Sequence, residues 1–355
     1  MFEKRTVVIV GAGASAECDL PTGKKLKWEI AQLLDIKFPD GCRQSTGDRA
    51  ICLALRMLAS QTNPHAPDIN PYLHEAWHIH DAMPQALSID NFIDAHQGNE
   101  KLELCGKLAI VRAILDAEKK SRLYFNQLES QQAPDFSSVE DTWFAAFFRL
   151  LTENCRVEHI EERLSTLSLV VFNYDRCIEH FIYHSLKNYY RIPSEQAAQF
   201  MSRLVIFHPY GTVGALPWQG QPVSIEFGAD PKPEQLVTLS GQIQTFTEGT
   251  DPLKSHVGEI RTKLLQARIV LFLGFAYHRQ NLEFLRPDKQ EHEHKYFVKY
   301  FGTAQGISDS DCAQIVDELS ALAGAQSGKI VLRNDLTCSK LFAEYWRSLS
   351  LSRTG

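Results

Sequence analysis

Six short apolar runs along the chain carry the residues that β-strands favour. The first, TVVIV (6–10), is a continuous β-branched run that glycine ends, which is typical of a strand buried on both faces of a parallel sheet. The other runs are LSLVVF (167–172), RLVIF (203–207), ARIVLFLG (267–274), KYFVKYFG (295–302) and GKIVLR (328–333). The pattern predicts a mostly parallel sheet that one long region interrupts.

Between the first and second of these runs, the apolar residues recur at helical spacing. Past Pro21, one predicted helix face holds Leu26, Ile30, Leu33 and Leu34, and later stripes hold Leu104, Leu108, Val111 and Leu115, then Trp143, Phe147 and Leu151. We therefore predict an α/β fold, a Rossmann-like and mostly parallel sheet interrupted by a large helical insert. Residues 1–40 and 160–355 would form the nucleotide-binding domain, and residues 41–159 the insert.

Charge and hydropathy narrow the possible partners. The 355 residues carry a formal net charge of −6, whereas nonspecific binding of phosphate backbones needs a basic face, so we expect no direct binding of nucleic acid. No run approaches the roughly 18 apolar residues that cross a bilayer, and the first residues contain no signal-like apolar region. We expect a cytoplasmic protein that does not bind membranes.

The cysteines argue against a structural metal. Eight are scattered along the chain, and no two of them form a CxxC pair. This spacing is not typical of a zinc ribbon or of a disulfide framework. We expect reduced and mostly buried thiols, and no metal.

The glycine turn after the first run is the first candidate site. GAGASA (11–16) fits GxGxxA, a turn that lets the backbone approach a pyrophosphate at the start of a helix. A dehydrogenase would need a second strand ending in Asp or Glu about 20 residues later, to hold the ribose. Residues 31–45 instead leave a helix and enter a polar loop, which disfavours hydride transfer.

A resemblance to a known family explains more of the sequence. GAGAS followed by LP resembles the first motif of the sirtuins, whose loop surrounds the ribose and diphosphate of NAD. FNYD (172–175) stands where sirtuins carry an Asn and an Asp, and the His of IFHPYGTVG (206–214) stands where they carry His-Gly. VSIEFGAD (223–230), LFLGFAYHRQN (271–281) and VLRND (331–335) are similar to later sirtuin segments, in the same chain order.

The resemblance implies a set of residues that contact NAD. These are Gly11, Ala12, Gly13, Ser15, Pro21, Phe172, Gly211, Gly274, Phe275 and Asn334. Backbone amides around Ala12, Gly13 and Ser15 would hold the diphosphate, and Gly274 and Asn334 would flank the adenosine. Each of the matched segments follows a predicted strand, where open α/β sheets bind their ligands.

Departures from the sirtuin pattern point to one branch of the family. The chain lacks the four-cysteine zinc module, TGKK follows Pro21 where deacetylases carry Phe-Arg, and two residues separate His208 from Gly211. We therefore expect no deacetylase activity. The chain looks like the sirtuin-like effectors of bacterial antiphage defence, which hydrolyse NAD and so cause abortive infection.

That resemblance implies a reaction and its partners. NAD would be the substrate, cleaved to nicotinamide and ADP-ribose. Because an unregulated enzyme would kill its host, we expect a homo-oligomer, a complex with an activating protein, or both. The activator would be a translocase-type ATPase, an Argonaute or a nucleotide-sensing subunit. The alternative hypothesis is a non-catalytic module that binds NAD or an ADP-ribose derivative and signals to a partner.

Three side chains are assigned to the chemistry. Asn173 would orient water or a ribose hydroxyl, His208 would act as general base or ribose ligand, and Asp175 would hold the ribose or stabilise positive charge. Each has a structural alternative: a helix cap for Asn173, an ordinary loop histidine for His208 and helix N-terminal charge for Asp175. For Ser15 the alternative is also a helix cap.

Two further motifs lie in the predicted insert. HEAWH (74–78) satisfies HExxH, but prolines at 71 and 84 bound its helix and no third zinc ligand has a distinguishing context, so a solvated helix face is the preferred interpretation. SIDNFIDAH (88–96) places Asp90 and Asn91 either near the ribose, as a similar acidic segment does in the sirtuin-like effectors, or at a helix N-cap.

Overall fold

A six-stranded parallel sheet organises the molecule. The computed structural model describes residues 4–126, 134–246, 248, 256–286, 297–323 and 327–350. The strands are β1 (Thr6–Val10), β2 (Leu167–Val171), β3 (Val205–Phe207), β4 (Ile269–Leu273), β5 (Val298–Thr303) and β6 (Ser327–Arg333). All pair in parallel, in the order β3-β2-β1-β4-β5-β6. The α/β class and all six predicted strands are confirmed.

The central strands are buried on both faces, as their continuous apolar runs predict. Every residue of β1 and of β2 is buried, and β1 pairs with β2 on one side and β4 on the other. The edge strand β3 has three residues, two of them half-buried. The strand order is the one typical of Rossmann folds, in which the chain reverses direction across the sheet between β1 and β4.

The described ranges contain sixteen α-helices, numbered in chain order. Those that precede β2 are α1 (Ala12–Ser15), α2 (Gly23–Leu34), α3 (Arg49–Thr62), α4 (Asn70–Ala82), α5 (Ile89–Ala95), α6 (Glu100–Lys120), α7 (Trp143–Thr152) and α8 (Ile160–Ser165). Those that follow β2 are α9 (Cys177–Tyr190), α10 (Ser194–Met201), α11 (Pro233–Ser240), α12 (Val257–Gln266), α13 (Arg279–Leu285), α14 (Asp309–Ala323), α15 (Cys338–Glu344) and α16 (Trp346–Ser350).

The core has two layers, one on each face of the sheet. Alternate residues of β1 belong to different clusters: Val7 and Ile9 pack with α2 to α6 and α11 to α14, whereas Val8 and Val10 pack with α7 to α10 and α15. The helices between β1 and β2 therefore contribute to the same two clusters as the sheet. The division into a domain and an insert at residues 41 and 159 stays a prediction.

Two simpler expectations concern thiols and membranes. All eight cysteines are free, and six of them are buried. Within the described ranges, the structure contains no helix with both the length and the apolar character that crossing a bilayer requires.

Candidate functional site

A cavity of 490 Å³ lies at the carboxyl ends of β1, β4, β5 and β6. It is lined by Ala12, Gly13, Ala16, Glu17, Thr22, Gly23, Gly274, Phe275, Ala276, Thr303, Gln305, Gly306, Ile307, Leu336, Thr337 and Cys338. The wall thus includes the loops after both strands of the reversal point, β1 and β4. This is the place where open α/β sheets bind their ligands, and its size suits a small-molecule site.

The glycines of this wall allow two backbones to touch. The N–H of Gly11 donates to Leu273 O at 2.9 Å, and the N–H of Gly13 donates to Gly274 O at 3.0 Å. A Cβ on Gly11 would lie 2.6 Å from Gly274 O, and one on Gly274 would lie 1.9 Å from the backbone nitrogen of Ala14. The Gly13 amide, predicted to hold a diphosphate, is therefore engaged with the β4 loop in this structure.

Behind that wall, a buried chain of hydrogen bonds joins the loops after β1 and β2. Asn173 Nδ2 donates to Ser15 Oγ at 3.0 Å, and the Ser15 hydroxyl also hydrogen-bonds the Asp175 carboxylate. All three side chains are buried. Burial raises the pKa of Asp175, although its hydrogen bonds to Cys177 and Ser15 act in the opposite direction.

The structural alternatives for Ser15 and Asn173 are helix caps, and that for Asp175 is helix N-terminal charge. Ser15 makes no side-chain cap hydrogen bond, and the Asn173 amide bonds Ser15 rather than the start of α9. Asp175 does accept a hydrogen bond from the N–H of Cys177 at 3.2 Å, at the first residue of α9. Asp175 thus serves the helix start and the buried chain together.

His208, at the end of β3, contacts the same loop. Its Nδ1 lies 3.2 Å from Asn173 O, and its Nε2 lies 2.6 Å from Glu179 Oε1. Burial by itself lowers the pKa of His208, but the carboxylate of Glu179, the backbone carbonyl of Asn173 and the charge of Asp175 together outweigh it, so the net pKa is above its ordinary value. Both ring nitrogens face acceptors, which favours an imidazolium that donates to each.

The three side chains that the sequence assigns to the chemistry lie near the cavity but do not line it. Neither Asn173, Asp175 nor His208 is among the described residues that line the 490 Å³ cavity. His208 instead lines two other cavities, of 630 and 320 Å³, near the end of β3. Ser15 joins the two regions, because it follows the cavity wall at Ala12 and Gly13 and bonds Asn173 directly.

The remaining predicted contacts serve mainly to shape the loops. Phe172 and Phe275 are buried with ring centroids 5.2 Å apart, and Pro21 is buried ahead of α2. Gly211 closes the HPYG turn with a φ of +71° and donates to His208 O at 3.0 Å. Asn334 Nδ2 donates to Asp309 Oδ1 at 2.7 Å and to Ile307 O at 3.2 Å, so it supports the cavity wall from behind.

The acidic segment of the predicted insert reaches the site loop. The hydroxyl of Tyr174 donates to Asp90 Oδ1, and burial raises the pKa of Asp90 to about 6. The N-cap of α5 is Ser88, whose hydroxyl accepts from the N–H of Asn91 at 3.0 Å. The segment therefore does cap α5, through Ser88 with Asp90 in the first turn of the helix, and Asp90 is also a neighbour of the Asn173 loop.

HEAWH lies on α4, as the pattern predicts, and its two histidine rings lie close to other rings. The ring of His74 lies 5.7 Å from Trp77, and that of His78 lies 5.2 Å from His96. In the parts of the chain that the structure describes, no group of three or more His, Cys, Asp or Glu side chains is arranged to hold a metal ion.

Two carboxylates of the site are absent from the sequence predictions as functional residues. Glu179, one helical turn after Asp175, pairs with His208. Glu17 lines the cavity and accepts from the N–H groups of Trp143 at 2.8 Å and Ser339 at 2.9 Å, which fixes the starts of α7 and α15. The spacing of Glu179 signals only a shared helix face, and nothing in the local sequence around Glu17 identifies its two distant partners.

No protein-family model matches the chain, and no curated protein matches it. The resemblance to the sirtuins therefore stays a prediction that depends on the quoted motifs.

Proposed function

We propose that this protein binds NAD at the carboxyl edge of its sheet and hydrolyses the bond between nicotinamide and ribose. The observation that carries the proposal is the buried chain Asn173–Ser15–Asp175 immediately behind the glycine wall of the 490 Å³ cavity. It joins an amide, a hydroxyl and a carboxylate at the carboxyl ends of β1 and β2, beside the reversal point of a Rossmann-like sheet.

Dinucleotide binding is supported by the wall of the cavity. The adenosine and diphosphate would occupy the cavity between the loops after β1, β4 and β5. Thr22 and Gln305 line it, and both residues are exposed and carry side chains that can hydrogen-bond a ligand. The nicotinamide ribose would extend toward Ser15 and Asn173, on the β2 side.

The reaction needs few groups. When the C1′–N bond breaks, its electron pair leaves with nicotinamide, and the ribose carries positive charge until water adds at C1′ and releases a proton. NAD and water thus give nicotinamide, ADP-ribose and a proton. Asp175 would stabilise the positive charge, Asn173 would orient the water or a ribose hydroxyl, and His208 would bind the ribose or accept the proton.

The hydrogen bonds of His208 imply a resting state. An imidazole that donates from both nitrogens has no lone pair to accept a proton. His208 must therefore release Asn173 O or Glu179, or pass a proton to Glu179, before it acts as a base. This requirement suits an enzyme that a partner activates. The proposed role is that of an abortive-infection effector that forms a homo-oligomer, a complex with an activating protein, or both.

A second candidate function has its own supporting observation. Asn173, Ser15, Asp175 and His208 all find their hydrogen-bond partners inside the protein, so none is exposed to the 490 Å³ cavity. A site of this kind could bind NAD or an ADP-ribose derivative without cleaving it. The protein would then report the bound nucleotide to a partner.

Nicotinamide release separates the two functions. The assay would use purified protein, alone and with candidate activating proteins, and follow nicotinamide by liquid chromatography while NAD binding is measured by calorimetry. Asn173→Ala and His208→Ala should each abolish release, whereas the exposed-site controls Asn188→Ala and His159→Ala should not. Release that survives both site variants would refute the proposed chemistry. Stoichiometric NAD binding without release under any condition would favour the binding module.

A further inference from the structure

The four residues after Phe172 alternate in what their side chains contact. Asn173 and Asp175 contact Ser15, in the loop after β1. Tyr174 instead donates to Asp90 on α5, and Arg176 pairs with Glu118 on α6. One short loop is thus shared, residue by residue, between the proposed site and two helices of the region that separates β1 from β2.

The Arg176 contact is buried and fully paired. Arg176 is 1% exposed and Glu118 is completely buried. Arg176 Nε lies 3.0 Å and Nη2 lies 2.5 Å from the Glu118 carboxylate, which also accepts from the backbone N–H of Arg176 at 3.2 Å. The remaining donors bond Ile225 O at 2.6 Å and Glu226 O at 3.2 Å. A buried charge pair this well satisfied fixes its own geometry, because losing either partner leaves the other charge uncompensated.

The two helices that hold the loop are packed closely against each other. A Cβ on Gly106, in α6, would lie 2.6 Å from Ile93 Cδ1, in α5. A displacement of one helix is therefore transmitted to the other. Tyr174 and Arg176 each adjoin a residue of the proposed site along the backbone, so a displacement of α5 and α6 must reach Asn173 and Asp175.

We propose that Tyr174 and Arg176 are positioning residues through which α5 and α6 set the geometry of Asn173 and Asp175. This inference rests on the proposed function, and it names the route by which an activating partner acts. A protein that binds the face of α5 or α6 would shift the loop between Phe172 and Cys177. That shift would separate Asn173 O from His208 and free the imidazole.

The test removes one hydroxyl. Tyr174→Phe keeps the ring and deletes the hydrogen bond to Asp90. The matched control is Tyr190→Phe, which deletes the hydrogen bond from Tyr190 to Cys155 O at 2.8 Å on the far end of α9. Amide hydrogen exchange is measured in both variants without NAD, and kcat and KM for NAD are measured in the activated protein.

Tyr174→Phe should accelerate exchange of the amides of residues 173–177 by about two- to tenfold, the effect of one lost hydrogen bond, whereas Tyr190→Phe should leave them unchanged. In the activated protein, kcat should change while KM stays within about twofold, because the binding wall is untouched. Glu118→Gln, which keeps the shape of the pair, should increase exchange in the same segment.

Unchanged exchange in both Tyr174→Phe and Glu118→Gln would overturn the inference, as would an equal effect of Tyr190→Phe. Because exchange is recorded without NAD, a protein that never cleaves NAD can still show or lack the coupling. Failure of the proposed function and failure of this inference are therefore distinguishable.

Discussion

The side-chain amide of Asn173 donates a hydrogen bond to Ser15 Oγ across 3.0 Å, and so connects the loop after β2 to the loop after β1. The same hydroxyl bonds Asp175. One serine therefore determines where two of the three proposed reactive side chains lie. Any account of the chemistry depends on this buried contact as much as on the groups that would touch NAD.

Ser15→Ala should lower both stability and NAD cleavage. The change leaves the buried Asn173 amide without its acceptor and removes the Ser15 hydrogen bond to Asp175, which keeps only its bond from the N–H of Cys177. We expect a cost of about 1–3 kcal/mol of unfolding free energy. Nicotinamide release should fall by about tenfold, the effect of a barrier raised by roughly 1.4 kcal/mol. Urea denaturation and the release assay measure the two effects.

The control for Ser15→Ala is Ser60→Ala. Ser60 is exposed on α3, and its hydroxyl donates to Arg56 O, one turn earlier. Its replacement should change stability by no more than about 0.5 kcal/mol. Equal stabilities for the two variants would show that the Ser15 contact contributes nothing.

The His208–Glu179 pair should make stability depend on pH above the ordinary histidine pKa. The folded-state pKa of His208 is raised, so its contribution is fully present below the unfolded-state pKa of about 6.5 and is lost as pH rises through the folded-state value. The difference in unfolding free energy between the native protein and His208→Gln should therefore shrink as pH rises from about 6 and become constant once His208 is neutral in both states.

The effect of Glu179 on the pKa of His208 can also be tested directly. In Glu179→Gln the main group that raises the pKa of His208 is removed and burial acts against it, so the pKa of His208 should fall. A titration of the imidazole by NMR, with His159 as the exposed reference, measures the change. An identical His208 midpoint with and without the Glu179 carboxylate would contradict the assignment.

The strands of the sheet could be predicted from the sequence because each strand is a local run of apolar residues. A strand buried on both faces is apolar at nearly every position, as TVVIV is after Thr6 and IVLFL is throughout, so the runs identify β1 and β4 without tertiary information. The loops at the strand ends follow from the same reasoning, since parallel strands end at one edge. That is why Ser15, Asn173 and His208 could be grouped in advance.

The contacts that residues of the site make with each other could not be predicted from local sequence. Asp90 looks like a helix cap from its neighbours, and only the packing of α5 against the site loop turns it toward Tyr174. Gly13 matches a phosphate-binding glycine, yet its N–H is used by Gly274, a residue 261 positions away. Such contacts depend on how helices from one region pack onto loops from another, which no local pattern records.

Gly274→Ala should destabilise the protein by about 2–4 kcal/mol. Gly274 has a φ of +56°, and a Cβ there would lie 1.9 Å from the backbone nitrogen of Ala14, so both strain and a clash oppose the methyl group. The loops after β1 and β4 would have to separate, and NAD binding should be lost with them. Chemical denaturation and calorimetry measure the two effects.

Gly258→Ala is the matched control for this change. Gly258 lies in α12 with no atom within 4 Å of a built Cβ, so alanine should stabilise the helix by about 0.5–1 kcal/mol. If Gly274→Ala were as stable as Gly258→Ala, the close contact between the two loops would not exist in solution.

The proposed site should prefer NAD to NADP. Among the described residues that line the 490 Å³ cavity, Glu17 alone carries a charged side chain, and none is a lysine, an arginine or a histidine. The extra phosphate of NADP would find no cation and would lie within the field of a carboxylate, so its Kd should exceed that of NAD by about fivefold or more. Calorimetry with both nucleotides gives the ratio.

A single added cation should reverse that preference. Gln305 is exposed at the cavity wall after β5, on the side proposed for the adenosine, and an arginine there can pair with the 2′-phosphate. Gln305→Arg should tighten NADP binding by about tenfold and change NAD binding little, because only NADP gains an ion pair worth about 1.4 kcal/mol. The control Gln61→Arg adds the same charge at an exposed position on α3 and should alter neither affinity. A Gln305→Arg protein whose NADP affinity matches that of Gln61→Arg would place the adenosine outside this cavity, and the proposed direction of the dinucleotide would have to be abandoned.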